Sequence, residues 1–210
     1  MDFYEDLVQR YPDLAECLPD VRQATDALIH SFRQGGKLLV CGNGGSAADS
    51  EHIVGELMKG YWLARPVPAD VRQRLVEAWP EQGQALADHL QGALPAISLV
   101  SQTALMTAFN NDVDPTMVFA QQVFGYGRPG DVLLGLSTSG GSRNVINALR
   151  VGRALGLVTL GLSGRAGGEM RSVCDVVIRV PYDRTPEVQE RHMAIYHAIC
   201  GRLEAVFFSV

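Results

Sequence analysis

A serine-rich turn is the strongest chemical signal in the sequence. Ser137, Thr138, Ser139 and Ser142 lie in LSTSGGSRN, directly after an apolar run and before a helical pattern. Hydroxyl donors, free backbone N–H groups and the positive end of a helix dipole together make a site for an anion. One serine is enough to cap a helix, so four hydroxyls are more than capping requires. The turn therefore predicts a phosphate site.

A glycine-rich turn, GNGGSAADSEH, follows the apolar run Lys37–Cys41. Glycines let the backbone turn tightly and approach a ligand closely. The turn lacks both the GxGxxG spacing of dinucleotide-binding proteins and the GK[ST] of P-loops. Its three glycines, together with Asn43 and Ser46, exceed what a plain strand-to-helix turn requires. The pattern therefore favours a second ligand loop.

His52 and Glu56 are four residues apart on the helix predicted after this turn. That spacing puts both side chains on one face of the helix. It suits a shared metal ion or an acid–base pair. Such a pair alone is more often a surface hydrogen bond, but its position just after a ligand loop favours a functional role.

The segment QERHMAIYH on the last predicted helix carries Gln189, His192 and His197. Polar side chains in an otherwise apolar helix need partners. We expect His192 to be a satisfied core histidine. Gln189 and His197 would lie ~12 Å apart along a straight helix, so both cannot reach one small ion. An irregular first turn would resolve this, but we predict that the two come from different subunits.

Asparagine and aspartate occur together in FNND, Phe109–Asp112. The motif is expected to follow a helix in the second crossover. It could contact a ligand there, although these residue types also form simple turns.

Five apolar runs alternate with helical patterns along the chain. Runs that are apolar throughout are typical of strands covered on both faces. Strands alternating with helices predict a parallel sheet with right-handed crossovers, in which ligands bind at the carboxyl ends of the strands. We therefore predict an α/β fold, a three-layer sandwich with a flavodoxin-like, doubly wound, five-stranded parallel sheet. The predicted strands are Lys37–Cys41, Ala96–Val100, Asp131–Ser137, Leu157–Ser163 and Asp175–Val180.

The chain is expected to form a single domain, residues 1–210, with N-terminal helices in residues 1–34. Residues 66–94 interrupt the first crossover and are predicted to be an inserted helical hairpin, Ala69–Trp79 and Glu81–Gln91, broken at Pro80. A lid and an oligomer contact are equally open as roles for it. The other helical patterns are Phe3–Phe32, Ala47–Lys59, Pro115–Phe124, Asn144–Leu155 and Pro186–Phe208.

Composition narrows the class of protein. The chain has 210 residues, 47% of them hydrophobic, and a formal net charge of -5. This balance argues against nonspecific nucleic-acid binding, which needs clustered basic residues. The four cysteines form no CxxC pair and are expected to be reduced thiols. The N-terminus lacks an apolar signal core, and no apolar run approaches the ~20 residues of a membrane span, so we expect a cytoplasmic protein without a membrane partner.

The ordered set GNGGSAAD, HxxxE, ND, STSGxS and QExHxxxxH resembles the sugar isomerase (SIS) domain proteins. Within them it looks like the sedoheptulose 7-phosphate isomerases, also called phosphoheptose isomerases. STSGxS alone marks the broad superfamily, whereas the ordered set is more specific. The likeness covers nearly the whole chain and departs at residues 66–94. It also departs at Gly60, where the family often has a basic residue four positions after the matched Glu56.

The resemblance implies a SIS-type fold and a set of site residues. It implies that Glu56 is the catalytic base and His197 the catalytic acid. It implies a possible zinc ion, one per subunit, and a homotetramer whose sites lie between subunits. The implied zinc ligands are His52, Glu56, Gln189 and His197. The implied substrate-binding residues are Asn43, Gly44, Gly45, Ser46, Asn111, Asp112, Ser137, Thr138, Ser139, Ser142 and Gln189.

The implied activity is aldose–ketose isomerisation of a sugar phosphate. The expected reaction converts sedoheptulose 7-phosphate to D-glycero-D-manno-heptose 7-phosphate through an enediol. This chemistry needs a base at carbon and an acid at the carbonyl oxygen, tasks that suit a carboxylate and an imidazole. Three alternatives stay open: a non-catalytic SIS protein that binds the replication initiator, a sugar-phosphate sensor, and an isomerase or epimerase of another phosphosugar.

Overall fold

A parallel sheet of five strands forms the centre of the computed structural model, which describes residues 2–209. The strand order is β2-β1-β3-β4-β5, and all neighbouring strands are parallel. This order confirms the doubly wound, flavodoxin-like arrangement. Each strand lies in a predicted apolar run, except that β1 extends one residue further, to Gly42. The strands are β1 Leu38–Gly42, β2 Ala96–Ser98, β3 Val132–Leu136, β4 Val158–Ser163 and β5 Val176–Arg179.

Helices cover both faces of the sheet. In chain order they are α1 Phe3–Arg10, α2 Leu18–Arg33, α3 Gly45–Met58, α4 Ala69–Ala78, α5 Gly83–His89, α6 Thr103–Asp112, α7 Val118–Tyr126, α8 Arg143–Ala154, α9 Met170–Val173 and α10 Thr185–Phe208. Short 3-10 turns precede α2 and α7, at Pro12–Cys17 and Pro115–Met117. Over residues 2–209, none of the helices combines the length and apolarity that crossing a bilayer requires.

Two hydrophobic cores lie on opposite faces of the sheet. Leu38 and Val40 of β1 belong to the core that contains side chains of α1, α2, α3 and α10. Leu39 and Cys41 of the same strand belong to the core that contains side chains of α7 and α8. Successive strand residues point to opposite faces. Burial on both faces therefore explains why the strand is apolar throughout, and the predicted three-layer sandwich is confirmed.

The N-terminal segment is helical but is not one continuous helix. Tyr11 ends α1 with φ -132° and ψ 76°, and a 3-10 turn follows from Pro12. Proline has no N–H to donate and disfavours the helical conformation at the residue before it. The apolar periodicity of Phe3–Phe32 continues across this break because both pieces face the same core.

The segment between β2 and β3 corrects the sequence analysis. FNND forms the last turn of α6 instead of following a helix, and the helical pattern that starts at Pro115 begins with a 3-10 turn before α7. Among the described residues, α6 buries none of its side chains. The helix expected before this motif is therefore present but includes the motif, and its side chains Met106 and Phe109 are only partly buried against the core.

The inserted segment contains α4 and α5, and α4 ends just before Pro80 as predicted. The two helices meet closely where Gly83 lies against the Leu75 backbone: a Cβ at Gly83 would be 2.2 Å from the Leu75 carbonyl oxygen. An antiparallel bridge between Pro66 and Gln91 closes the base of the hairpin. The Gly92 N–H donates to the Arg65 carbonyl there, at 2.7 Å. The insertion thus joins the rest of the molecule through a narrow neck.

Candidate active site

The two predicted ligand loops meet at the carboxyl edge of the sheet. The glycine-rich turn follows β1 and the serine-rich turn follows β3, and these strands are neighbours. The side-chain amides of Asn43 and Asn144 donate to each other, at 2.9 Å in both directions. This reciprocal pair fastens the first loop to the start of α8. Gly44 has φ 57°, a conformation that favours glycine.

The hydroxyl cluster surrounds the first turn of α8. Ser137 Oγ lies 2.9 Å from Ser142 Oγ and 3.4 Å from Ser139 Oγ. Gly140 has φ 67°, and a Cβ there would lie 2.2 Å from the Gly167 carbonyl oxygen, so the turn passes tightly over a neighbouring loop. The cluster combines hydroxyls with a helix N-terminus, which suits a phosphate group.

Gln189 lies at the same end of the molecule as the two loops. A Cβ on Gly45 would be 2.4 Å from Gln189 Nε2, so only a residue without a side chain lets the Gln189 amide lie here. The structure therefore brings Gln189 together with the GNGGS turn. We call the residues of the two turns and Gln189 the loop group.

His52, Glu56 and His197 form a second cluster, the histidine–glutamate group. His52 Nε2 lies 3.3 Å from Glu56 Oε1, and the ring centroids of His52 and His197 are 5.0 Å apart. The Tyr61 ring lies 5.8 Å from the His197 ring. Among the described residues, the buried Glu56 Oε2 has no hydrogen-bond partner. A carboxylate oxygen in that state is available to a ligand.

Tyr196 and Asp49 extend this group, and the sequence analysis missed both. The Tyr196 hydroxyl lies 3.0 Å from His52 Nδ1 and donates to Asp49 Oδ1 at 3.2 Å. Burial raises the pKa of both Asp49 and Tyr196. Two contacts thus hold the His52 ring, one on each nitrogen. The sequence did carry a signal for Asp49. It lies three residues before His52 and seven before Glu56, which places all three on one face of the helix.

His197 is half-buried, and its environment favours the neutral imidazole. Burial lowers the pKa of His197, as does the neighbouring His52, while the Glu56 carboxylate acts in the opposite direction. The net result is a pKa below the usual range. A neutral imidazole can still donate a hydrogen bond to a developing oxyanion.

Gly45 and Gln189 of the loop group lie near the N-terminal ends of α3 and α10. The histidine–glutamate group lies further along the same two helices. Glu56 is eleven residues beyond Gly45, which corresponds to ~16 Å along a helix axis. Gln189 and His197 both lie in α10, one continuous helix, so the irregular first turn considered above is not present. In one subunit, Gln189 cannot reach the point where His52, Glu56 and His197 meet.

Asn111 and Asp112 stay apart from both groups. They are exposed in the last turn of α6, and the Asn111 amide donates to the Asp112 carboxylate at 2.9 Å. Within residues 2–209, no hydrogen bond joins them to the other predicted site residues. Their predicted role in sugar binding stays a prediction.

Comparison with known proteins assigns the family. The model of the SIS domain matches residues 2–73 and 77–164. The chain belongs to the SIS-domain family. The chain is 39% identical over 191 residues to the phosphoheptose isomerase of Rhodospirillum rubrum, covering 91% of this chain and 88% of the relative. It is also 39% identical to the enzyme of the same name from Burkholderia pseudomallei, covering 91% and 84%.

Solved structures agree with the SIS-domain assignment. The phosphoheptose isomerase of Neisseria gonorrhoeae superposes with a TM-score of 0.75 at 30% identity, covering 96% of this chain and 95% of that one. The phosphoheptose isomerase of Francisella tularensis gives 0.74 at 29% identity, covering 96% and 94%. The resemblance inferred from the motifs is confirmed.

The residues that the SIS-domain resemblance implies as zinc ligands do not form a complete site within one subunit. The donor types are suitable, and Glu56 Oε2 is free to bind. Across residues 2–209, however, no three His, Cys, Asp or Glu side chains are arranged to hold a metal ion. Gln189 also lies eight residues before His197 on α10, too far along the helix axis to reach the same ion. One subunit by itself therefore does not fit the implied ion.

Proposed function

We propose that this SIS-domain protein is a phosphoheptose isomerase, which interconverts sedoheptulose 7-phosphate and D-glycero-D-manno-heptose 7-phosphate. The observation that carries the proposal is the pairing of a hydroxyl-lined helix N-terminus, Ser137–Ser142, with the cluster of Glu56 and His197. Relatives of that name match over nearly the whole chain, which supports the substrate class.

The proposed reaction moves one proton between two carbons. Glu56 takes a proton from C1 of the ketose while His197 gives a proton to the C2 oxygen, which yields the enediol. His197 then takes back the O1–H proton as the C1 carbonyl forms, and Glu56 returns its proton to C2, so both groups end in their starting protonation states. Binding the remote phosphate at Ser137–Ser142 would hold the reacting carbons in place. The lowered pKa of His197 suits an imidazole that exchanges a proton with a weakly acidic hydroxyl.

We also propose a homotetramer with sites between subunits. Two findings support it: the loop group and the histidine–glutamate group are separated within one chain, and α10 is continuous through both Gln189 and His197. Large apolar side chains are exposed near α3 and α6, including Met58 at 46% and Leu105 at 37%. A neighbouring subunit would bury such side chains and could supply the missing group.

Zinc and a cytoplasmic location stay predictions. If bound, zinc would polarise the substrate carbonyl and stabilise the enediolate. No step above depends on it, since a single subunit does not present the complete ligand set. The four cysteines are free thiols, which suits a reducing compartment.

Incubation with sedoheptulose 7-phosphate, followed by NMR, tests the proposed function. We expect a new aldose phosphate signal from the wild type. Glu56→Gln should lower turnover by at least ~10²-fold, because the amide cannot take the carbon proton. Calorimetry should show that this variant still binds the sugar phosphate, since Ser137–Ser142 is unchanged.

Glu77→Gln, on the exposed helix α4, is the control and should keep wild-type turnover. Absence of conversion by the wild type, with and without added zinc, would contradict the function. Near-normal turnover by Glu56→Gln would remove Glu56 from its role. Loss of turnover with a chelator, restored by zinc, would support the metal.

A further inference from the structure

A buried ion pair lies just below the histidine–glutamate group. Arg65 Nε donates to Glu204 Oε1 at 2.7 Å, and both side chains are 0% exposed. The Arg65 guanidinium also lies 4.6 Å from the Phe208 ring centre. Removing two charges from water is costly, and apolar replacement of such pairs is often neutral or stabilising. Stability alone therefore gives a poor account of this pair.

The remaining donors of Arg65 reach the end of the helix that carries Glu56. Nη2 donates to the Glu56 carbonyl at 3.0 Å, and Nη1 donates to the Leu57 carbonyl at 2.8 Å. The last carbonyls of a helix have no partner within it. Arg65 thus caps the C-terminus of α3 and holds the backbone of Glu56 itself.

Glu204 fixes the loop that follows α3. Its carboxylate accepts the backbone N–H groups of Tyr61 at 2.8 Å, Trp62 at 2.7 Å and Leu63 at 3.1 Å. This places the Tyr61 ring beside the ring of His197. One ion pair therefore fastens the backbone of Glu56 and the aromatic neighbour of His197.

We propose that Arg65 and Glu204 are positioning residues for the isomerase reaction. They keep the Glu56 carboxylate and the His197 imidazole in a fixed relative geometry without touching substrate. The inference rests on the proposed function, in which Glu56 and His197 transfer the protons. A misplacement of about 1 Å at reacting groups can cost ~10²-fold in rate.

The double variant Arg65→Met/Glu204→Leu tests the proposal. It removes both charges together, so it leaves no unpaired buried charge and should fold. We expect kcat to fall by ~10- to 100-fold while KM changes by less than ~3-fold, because the phosphate site is untouched. Arg65→Lys keeps the positive charge beside Glu204 but loses the guanidinium caps on Glu56 and Leu57. It should therefore also lose kcat, which separates capping from charge.

Arg72→Gln/Asp88→Asn, which removes an exposed ion pair within the insertion, is the matched control and should keep kcat. A second readout does not need turnover: the ring-proton resonances of His197 should shift in Arg65→Met/Glu204→Leu, because the Tyr61 ring moves. Unchanged resonances would overturn the positioning role whatever the activity. A folded double variant with wild-type kcat, or parallel loss of binding and turnover, would also overturn it. A wild type that does not turn over sedoheptulose 7-phosphate refutes the proposed function instead.

Discussion

His192 shows what one buried titratable side chain contributes. It lies in α10 with 0% exposure, and neither ring nitrogen has a hydrogen-bond partner among the described residues. It is thus a core residue, as expected, and the backbone of Ser163 lies near enough to its ring to oppose the fall of its pKa. Burial is the main reason that its pKa falls from 6.5 to about 4. The native state therefore keeps the ring neutral where an unfolded chain would protonate it.

This shift makes stability depend on pH. Between pH 6.5 and about 4 the unfolded state binds a proton at His192 that the native state does not. The free energy of unfolding should therefore fall as pH decreases through this window, by ~3 kcal/mol in total from this residue. Urea unfolding at several pH values and one fixed protein concentration measures it.

His192→Leu, which has a similar volume, is the comparison for that measurement. In this variant the free energy of unfolding should depend much less on pH between 6.5 and about 4. The smaller dependence that is left is expected from His197, whose pKa is also lowered. Parallel stability curves for the two proteins would show that His192 is protonated equally in both states.

Among the structural elements, the insertion is loosely integrated with the rest of the molecule. Over the described part of α4 no side chain is buried, and ion pairs such as Arg72–Asp88 lie within the hairpin. Its neck, by contrast, is attached to the end of α3, where Gly60 N–H donates to Gln91 Oε1 at 2.7 Å. Exposed Trp79 and Leu86 leave both earlier alternatives, lid and oligomer contact, open.

Removal of residues 67–90, with a two-residue Asn-Gly turn joining Pro66 to Gln91, tests this independence. The antiparallel pairing at the neck suits a tight hairpin turn. We expect the shortened chain to fold, with a thermal midpoint within about 5 °C of the full chain, because the two sheet cores are unchanged. Circular dichroism during heating gives the result. Loss of a cooperative transition would show that the insertion is part of the folding core.

For the whole molecule, the arrangement of α3 and α10 has a consequence for assembly. Within each chain, the loop group and the histidine–glutamate group lie ~16 Å apart along the axis of α3. If a working site combines the loop group of one subunit with the other group of a neighbour, two inactive variants can complement each other.

Mixed oligomers provide that test. Glu56→Gln lacks the base, and Ser139→Glu puts a negative charge where phosphate should bind. After joint unfolding and reassembly, random mixing should restore roughly a quarter of the sites. Turnover should therefore reappear in the mixture but not in either variant alone. If every site lies within one chain, the mixture stays inactive.

The sequence by itself determined the sheet and the chemistry of the loops. Apolar runs identified the five strands because burial on both faces leaves no room for polar residues. Gly44 and Ser137–Ser142 were identified because ligand turns need special backbone conformations and local hydroxyls, which are properties of neighbouring residues. Family membership followed from the same local motifs.

Only the tertiary structure decided how distant segments meet. Tyr196 beside His52, and Glu204 beside Arg65, are separated by more than 130 residues along the chain, so no local pattern predicts the contacts. The same holds for the separation of Gln189 from Glu56, which depends on how α10 packs against α3. Local backbone preference and burial can be read from neighbouring residues, whereas side-chain partners across the core depend on how whole elements pack.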